Sequence, residues 1–203
     1  AAVSAGLLAR LLRSASDMSF NCVTIDGDTS TNDTAILAAT GVSGIRVEGG
    51  EALERYEAGL KQVCLELALA VVRDGEGVTK VVQIRVEGAA SDADARLAAR
   101  SVSESLLVKT AINGNLPNWG RIFAAAGYSG AALEQERLHL KFDDVEIVRD
   151  GSPIGGQDAS LREVLEKNEY TVTLGLGVGD ASANFWTTDL SREYVTINAD
   201  YRT

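Results

Sequence analysis

VVQIRVEGAASDADARLAARSVSESLL, residues 81–107, sets the fold class. Residues 81–86 are rich in β-branched side chains, which pack well on a pleated surface, and they predict a strand. Ser91-Asp92-Ala93-Asp94 then offers short polar side chains to the free N–H groups of a helix start. The predicted helix runs to about residue 107. A strand followed by a helix is the repeating unit of a layered α/β protein, and the flanking chain continues the alternation.

Upstream, residues 51–73 form the longest periodic segment. Leu53, Tyr56, Leu60, Val63, Leu67 and Val71 make its predicted buried stripe, and Asp74-Gly75 ends it. Residues 2–16 place Val3, Leu7, Leu8, Leu11 and Leu12 on one helical face. Between these helices, residues 20–25 predict a strand that ends at Asp26-Gly27. Residues 33–39 predict a short helix stopped by Gly41. Downstream, Pro117 suits the first turn of a helix over 118–126, ended by Gly127. Residues 137–142 and 145–149 predict a hairpin about Asp143-Asp144. Asp158 is the predicted cap of a helix to about Lys167, and residues 170–177, 184–188 and 194–198 are the last predicted strands. With two prolines, no internal repeat and no low-complexity linker, residues 1–203 read as a single domain.

A chain of 203 residues with 45% apolar content has enough material for a sizeable core. Its 19 basic and 29 acidic residues give a net charge of −10. An acidic chain without a basic stripe argues against nucleic-acid binding. No apolar run is long enough to span a bilayer, so no membrane association is expected. Arg10 and Arg13 interrupt the N-terminal apolar segment, so no signal peptide is expected either. Without an initiator Met, the sequence reads as a processed product, a trimmed chain or a fragment. Cys22 and Cys64 both sit in apolar patterns and read as buried free thiols of a reducing compartment.

Several chemistries are disfavoured. His139 is the one histidine. Its period-two neighbours Arg137 and Lys141 place it on a polar strand face, as a solvated residue. A Ser–His–Asp or Cys–His site is hard to build from such material, and so is a zinc site of Cys and His; no metal is expected. Gly175-Leu176-Gly177-Val178-Gly179-Asp180 follows a strand, but another strand comes next and the spacing is wrong for a dinucleotide loop. A glycine-bearing hairpin is the expectation. Gly75-Glu76-Gly77-Val78-Thr79-Lys80 lacks P-loop spacing and follows a helix, whose negative end repels phosphate.

Three polar clusters remain. Residues 26–34 hold more hydroxyls and carboxylates than one helix cap needs, although such residues favour self-capped turns. Arg73-Asp74-Gly75-Glu76-Gly77 bares Glu76 between two glycines at a helix end. A carboxylate is unfavourable there and suits a cationic ligand. The tail, residues 198–203, directly follows a predicted strand and carries Tyr201, which suits docking.

SFNCVTIDGDTSTNDT (residues 19–34), VRDGEGVTK (72–80), LVKTAINGNLPNWGRIFAAAGYSG (107–130) and YVTINADYRT (194–203) resemble the β chain of the ornithine acetyltransferase family. That family is also called bifunctional glutamate N-acetyltransferase, of arginine biosynthesis. The resemblance runs along the whole chain, with one departure: Leu116 stands where the family usually has a residue such as Asp. It implies an αββα-type sandwich of two sheets between helices, completed by a partner α chain from the same self-cleaved precursor. Two α and two β chains are implied, in the cytoplasm, or in a mitochondrion or plastid if eukaryotic.

The implied nucleophile is an N-terminal Thr whose α-amine acts as base, which removes the need for histidine. Acetyl passes from N-acetylornithine to that Thr and on to glutamate, with acetyl-CoA a further donor in bifunctional members and no bound cofactor. The family's β chain begins with Thr-Met-Leu and a short run before the segment matching Ala1. No catalytic residue is therefore assigned in this chain, and the nucleophile is expected just upstream of Ala1. The resemblance implies substrate binding by Glu76, Asn198 and Thr203. Residues 26–34 read as a rigid turn near the active site, in which Asp26 and Asp33 are expected to be structural while the roles of its individual residues stay open. Two alternatives stay open: a related N-terminal-nucleophile hydrolase or aminopeptidase, and a non-catalytic scaffold subunit.

Overall fold

Val82, Ile84 and Val86 are completely buried on one face of β1 (Val81–Ala89), while Gln83, Arg85 and Glu87 point the other way. Full burial of such side chains contributes about 1.5–3 kcal/mol each, so β1 anchors the core. It lies inside a six-stranded sheet, in a computed structural model that describes residues 1–201. The other strands are β2 (His139–Phe142), β3 (Val145–Arg149), β4 (Ser152–Pro153), β5 (Glu169–Gly175) and β6 (Ala181–Thr188). Their order is β4-β3-β2-β5-β1-β6. Among these six strands only the β1–β5 pair is parallel, and the β2–β3 hairpin forms where the sequence predicts it. Mixed α/β architecture is thus present, built among the described residues on one sheet.

By internal contact the chain groups into two compact units, residues 1–23 with 28–71, and residues 24–27 with 72 onward. The first holds α1 (Ala5–Asp17) and most of α2 (Gly50–Arg73). The second holds the sheet with α3 (Asp92–Glu104), α4 (Leu106–Asn113), α5 (Trp119–Gly127), α6 (Asp158–Leu165) and α7 (Arg192–Asp200). The small buried residues Ala95, Ala98 and Ala99 let α3 lie close on β1 and β6. Ser91 Oγ accepts from Asp94 N at 3.1 Å and starts that helix, a cap worth about 1 kcal/mol.

The structure departs from the sequence expectations at definite places. The helix predicted through 107 breaks at Ser105, whose extended backbone and Oγ cap α4 instead. Asp158 lies in the first turn of α6, and Gln157 is the residue that precedes it. Residues 20–25 are not a strand. Ser19 Oγ and Cys22 Sγ donate back to Ala15 O and Asp17 O, curling Phe20–Cys22 into a 3-10 turn. Residues 33–39 are irregular, since Ser30 Oγ accepts from Asn32 N and Asp33 N and offers the backbone an alternative to a helix.

Residues 194–198 lie in α7 rather than a strand, because Ser191 caps a helix despite the β-branched run Val195-Thr196-Ile197. In α2 the buried stripe is Cys64, Ala68 and Val72, one position on from the predicted one, and Val63, Leu67 and Val71 are more than half exposed. The predicted elements at 118–126, 137–142, 145–149, 158–167, 170–177 and 184–188 are present, with boundaries within a few residues of expectation.

Residues 176–180 are no hairpin, for β5 and β6 both pair with β1. The segment crosses the end of β1, where Leu176 N donates to Glu87 O and Val178 N to Gly88 O. The crossing needs glycine: Gly88 and Gly177 have φ of +65° and +75°, and a Cβ on Gly179 would overlap Ala89 O. His139 is half-buried rather than solvated, and its ring lies where a Cβ on Gly175 would sit. Both cysteines are buried and free, as the sequence predicts. No helix among the described residues is long and apolar enough to cross a membrane.

Candidate functional site

The chain leaves α2 through a tight turn at residues 74–77. Arg73 Nε and Nη2 grip the Glu169 carboxylate of β5 at 2.7 and 3.1 Å, fixing the end of the helix on the sheet. Gly77 follows with φ +66°, which a side chain tolerates poorly, and Glu76 is thrust out beside it. Asn198, in the last turn of α7, donates Nδ2 to Glu76 Oε2 at 2.8 Å and to Tyr194 O at 3.0 Å. Two of the residues expected to bind substrate therefore meet, 122 positions apart in sequence. Thr203, the third, lies outside the described residues.

The contact fixes the donor side of the Asn198 carboxamide. Its Oδ1 and Glu76 Oε1 remain acceptors, so the pair presents oxygens and a negative charge, a set suited to an ammonium group. Both residues are exposed in this chain.

A polar network that the sequence reading missed begins three residues after Glu76. Asp189, 3% exposed, follows β6. Its Oδ1 accepts from Thr79 N and Lys80 N, both at 2.9 Å. Its Oδ2 accepts from Thr79 Oγ1 at 2.6 Å and Asn113 Nδ2 at 2.7 Å. Burial raises the Asp189 carboxyl pKa, but the hydrogen bonds from Thr79, Asn113 and Lys80 outweigh it and hold the group below its ordinary value. Lys109, completely buried on α4, donates Nζ to Thr187 Oγ1 at 3.0 Å, Thr188 Oγ1 at 2.9 Å and Thr188 O at 2.5 Å. Burial pulls its pKa down to about 8, against the opposing pull of Asp189 and Asp26.

Ser191 Oγ donates to Gly77 O at 2.6 Å, and Tyr194 Oη donates to Asp26 Oδ2 at 2.9 Å. Residues 187–198 are thus stitched to the turn that carries Glu76. Asp26 has a bracing role, and Asp33 takes part in the local Ser30 turn. One sequence signal was available: Lys109 is a charged residue inside the apolar run 106–112. Among the described residues no group of three or more His, Cys, Asp or Glu is placed to hold a metal ion.

Comparison with known proteins places this geometry. The ArgJ family model matches residues 1–203. The chain is 54% identical over 207 residues to the arginine biosynthesis bifunctional protein ArgJ of Geobacter sulfurreducens, covering 100% of this chain and 52% of that protein. It is 47% identical over 208 residues to the glutamate N-acetyltransferase of Methanosarcina acetivorans, with the same coverage of 100% and 52%. The chain therefore spans about half the length of these curated relatives. The crystal structure of an arginine biosynthesis bifunctional protein argJ from Bacillus halodurans superposes with a TM-score of 0.95 at 34% identity, covering 99% of this chain and 96% of that one. With a family match along its whole length and a fold shared at that level, the chain belongs to the ArgJ family.

Proposed function

We propose that this chain is the β half of an enzyme that moves acetyl from N-acetylornithine to glutamate in arginine biosynthesis. The observation that carries it is the Asn198–Glu76 contact, which offers a carboxylate and an amide oxygen to the side-chain ammonium of ornithine. Thr203 adds a hydroxyl to the same substrate. The nucleophile is an N-terminal Thr upstream of Ala1. Its Oγ attacks the acetyl carbon, the amide C–N bond breaks, and ornithine leaves with the proton taken from the hydroxyl. The glutamate amine then attacks the acetyl-Thr ester, the ester C–O bond breaks, and the amine proton returns to the Thr hydroxyl, releasing N-acetylglutamate. Acetyl-CoA serves as a second donor, and no cofactor stays bound.

A partner α half from the same precursor completes a two-sheet sandwich, and two such pairs form a cytoplasmic heterotetramer. The existence of a partner half is supported by lengths: the chain matches 96% of the crystallised relative but 52% of the Geobacter protein. It is supported too by the exposed apolar stripe Val63, Leu67 and Val71 on α2, a surface of the kind a partner covers. The test is product analysis on the complete two-half protein, with N-acetylornithine labelled in the acetyl group and unlabelled glutamate. Labelled N-acetylglutamate and free ornithine are expected. Labelled free acetate in place of labelled N-acetylglutamate, with ornithine still released, makes the protein a hydrolase.

A further inference from the structure

We propose that Asp26 and Tyr194 are positioning residues for the Asn198–Glu76 pair, and set how tightly it holds the ammonium end of the donor substrate. This rests on the ornithine-binding role given above to Glu76 and Asn198.

The case starts from how α7 is held. None of its nine residues is fully buried, so no apolar core fixes the helix. A helix this short is marginal by itself. Polar contacts at its start hold it instead. Ser191 Oγ accepts from Tyr194 N at 3.1 Å while donating to Gly77 O, which joins the first turn of α7 to the turn bearing Glu76. Gly77 permits that approach, since a Cβ there would come within 2.9 Å of Ser191 Oγ and 3.0 Å of the Glu193 carbonyl carbon.

Tyr194 is engaged at both ends. Its ring hydroxyl donates to Asp26 Oδ2 at 2.9 Å, and its carbonyl accepts from Asn198 Nδ2 at 3.0 Å. The backbone on either side of Asp26 is anchored in turn. Thr24 N donates to Trp186 O at 2.9 Å, Gly27 N donates to Thr24 Oγ1 at 3.0 Å, and Thr188 Oγ1 donates to Ile25 O at 3.1 Å. A path therefore runs from the end of β6 by a hydrogen bond to Ile25, along the backbone to Asp26, and by further hydrogen bonds through Tyr194 to Asn198 and Glu76. It fixes the roll of α7, and with it the direction of the Asn198 amide oxygen.

The experiment is steady-state kinetics on the complete, processed enzyme, with N-acetylornithine and glutamate varied separately. Tyr194→Phe keeps the ring and deletes the brace. It is expected to raise KM for N-acetylornithine about fivefold, the equivalent of roughly 1 kcal/mol. The KM for glutamate, which has no side-chain ammonium, and kcat should move less than about twofold. In a Glu76→Gln background the same substitution should add less than about twofold, because its effect passes through that pair.

Asp26→Asn retains an acceptor and should restore most of the affinity that Asp26→Leu loses. That pair carries the test if Tyr194→Phe fails to fold. Equal rises in both KM values, or an undiminished effect of Tyr194→Phe in the Glu76→Gln background, overturn the positioning role. A Glu76→Gln enzyme with unchanged KM for N-acetylornithine would instead remove the ornithine-binding role itself.

Discussion

Lys109 is a completely buried ammonium ringed by three neutral oxygens, and its effect on stability has a definite sign. Burial brings its folded-state pKa from 10.5 to about 8. Between those values the unfolded chain holds a proton that the native protein has released. Raising pH therefore favours the folded state, and the increment is complete once pH passes the unfolded value. Integrating the two titrations from pH 7.5 to 9.5 gives a gain of about 2 kcal/mol from this one group. Lys109→Met keeps the length of the side chain and removes the titration.

The quantity to measure is the difference in unfolding free energy between wild type and Lys109→Met, by denaturant titration at both pH values. Taking the difference cancels groups common to both proteins. The window also stays below Tyr170, whose pKa burial raises above 10 and which removes stability as pH rises beyond that point. The difference should move in favour of wild type by about 2 kcal/mol across the window. A difference that is flat, or falls with pH, would refute the account of Lys109 as a buried, strained cation.

Asp189→Ala should cost about 2–4 kcal/mol in thermal or chemical unfolding, because it strips the acceptor from Thr79 N, Lys80 N and Asn113 Nδ2. Since the native carboxyl lies below its ordinary pKa, its contribution is present at neutral pH and is lost as pH falls through the folded-state value. Wild type but not the variant should show that loss in acid unfolding. Gly179→Ala forces a Cβ onto Ala89 O and should lower unfolding free energy by about 1–3 kcal/mol, read as a fall in Tm.

What was legible in the sequence followed from local chemistry. The strand from residue 81 and the helix that follows Ser91 were readable because β-branched alternation and a cap agree with the tertiary result. The hairpin was readable from its Asp143-Asp144 turn, where Asp143 takes φ +47°. Errors arose where two local signals competed. Residues 194–198 have strand composition, but the Ser191 cap prevails. Residues 20–25 have strand composition too, but Ser19 and Cys22 fold them back on α1. In α2 the helical period favours the larger apolar residues as the buried stripe, whereas small Cys64 and Ala68 are the buried ones.

At the site, Glu76 was legible from its glycines, and Asn198 from family resemblance. Asp189 was not, and Lys109 only as a charge inside the apolar run 106–112, since their partners lie 76 to 110 residues away.

The central claim is that Glu76 grips the ammonium of the donor substrate, and its most direct measurement is KM for N-acetylornithine in Glu76→Gln, on the complete processed enzyme. In this chain Glu76 is exposed, where an ion pair is worth about 0–1 kcal/mol; covered from water by a partner half, a charged hydrogen bond reaches about 1.5–3 kcal/mol. The account places the working site in the covered regime and predicts a rise of roughly ten- to a hundredfold, with the KM for glutamate little changed. An unchanged KM for N-acetylornithine would contradict it.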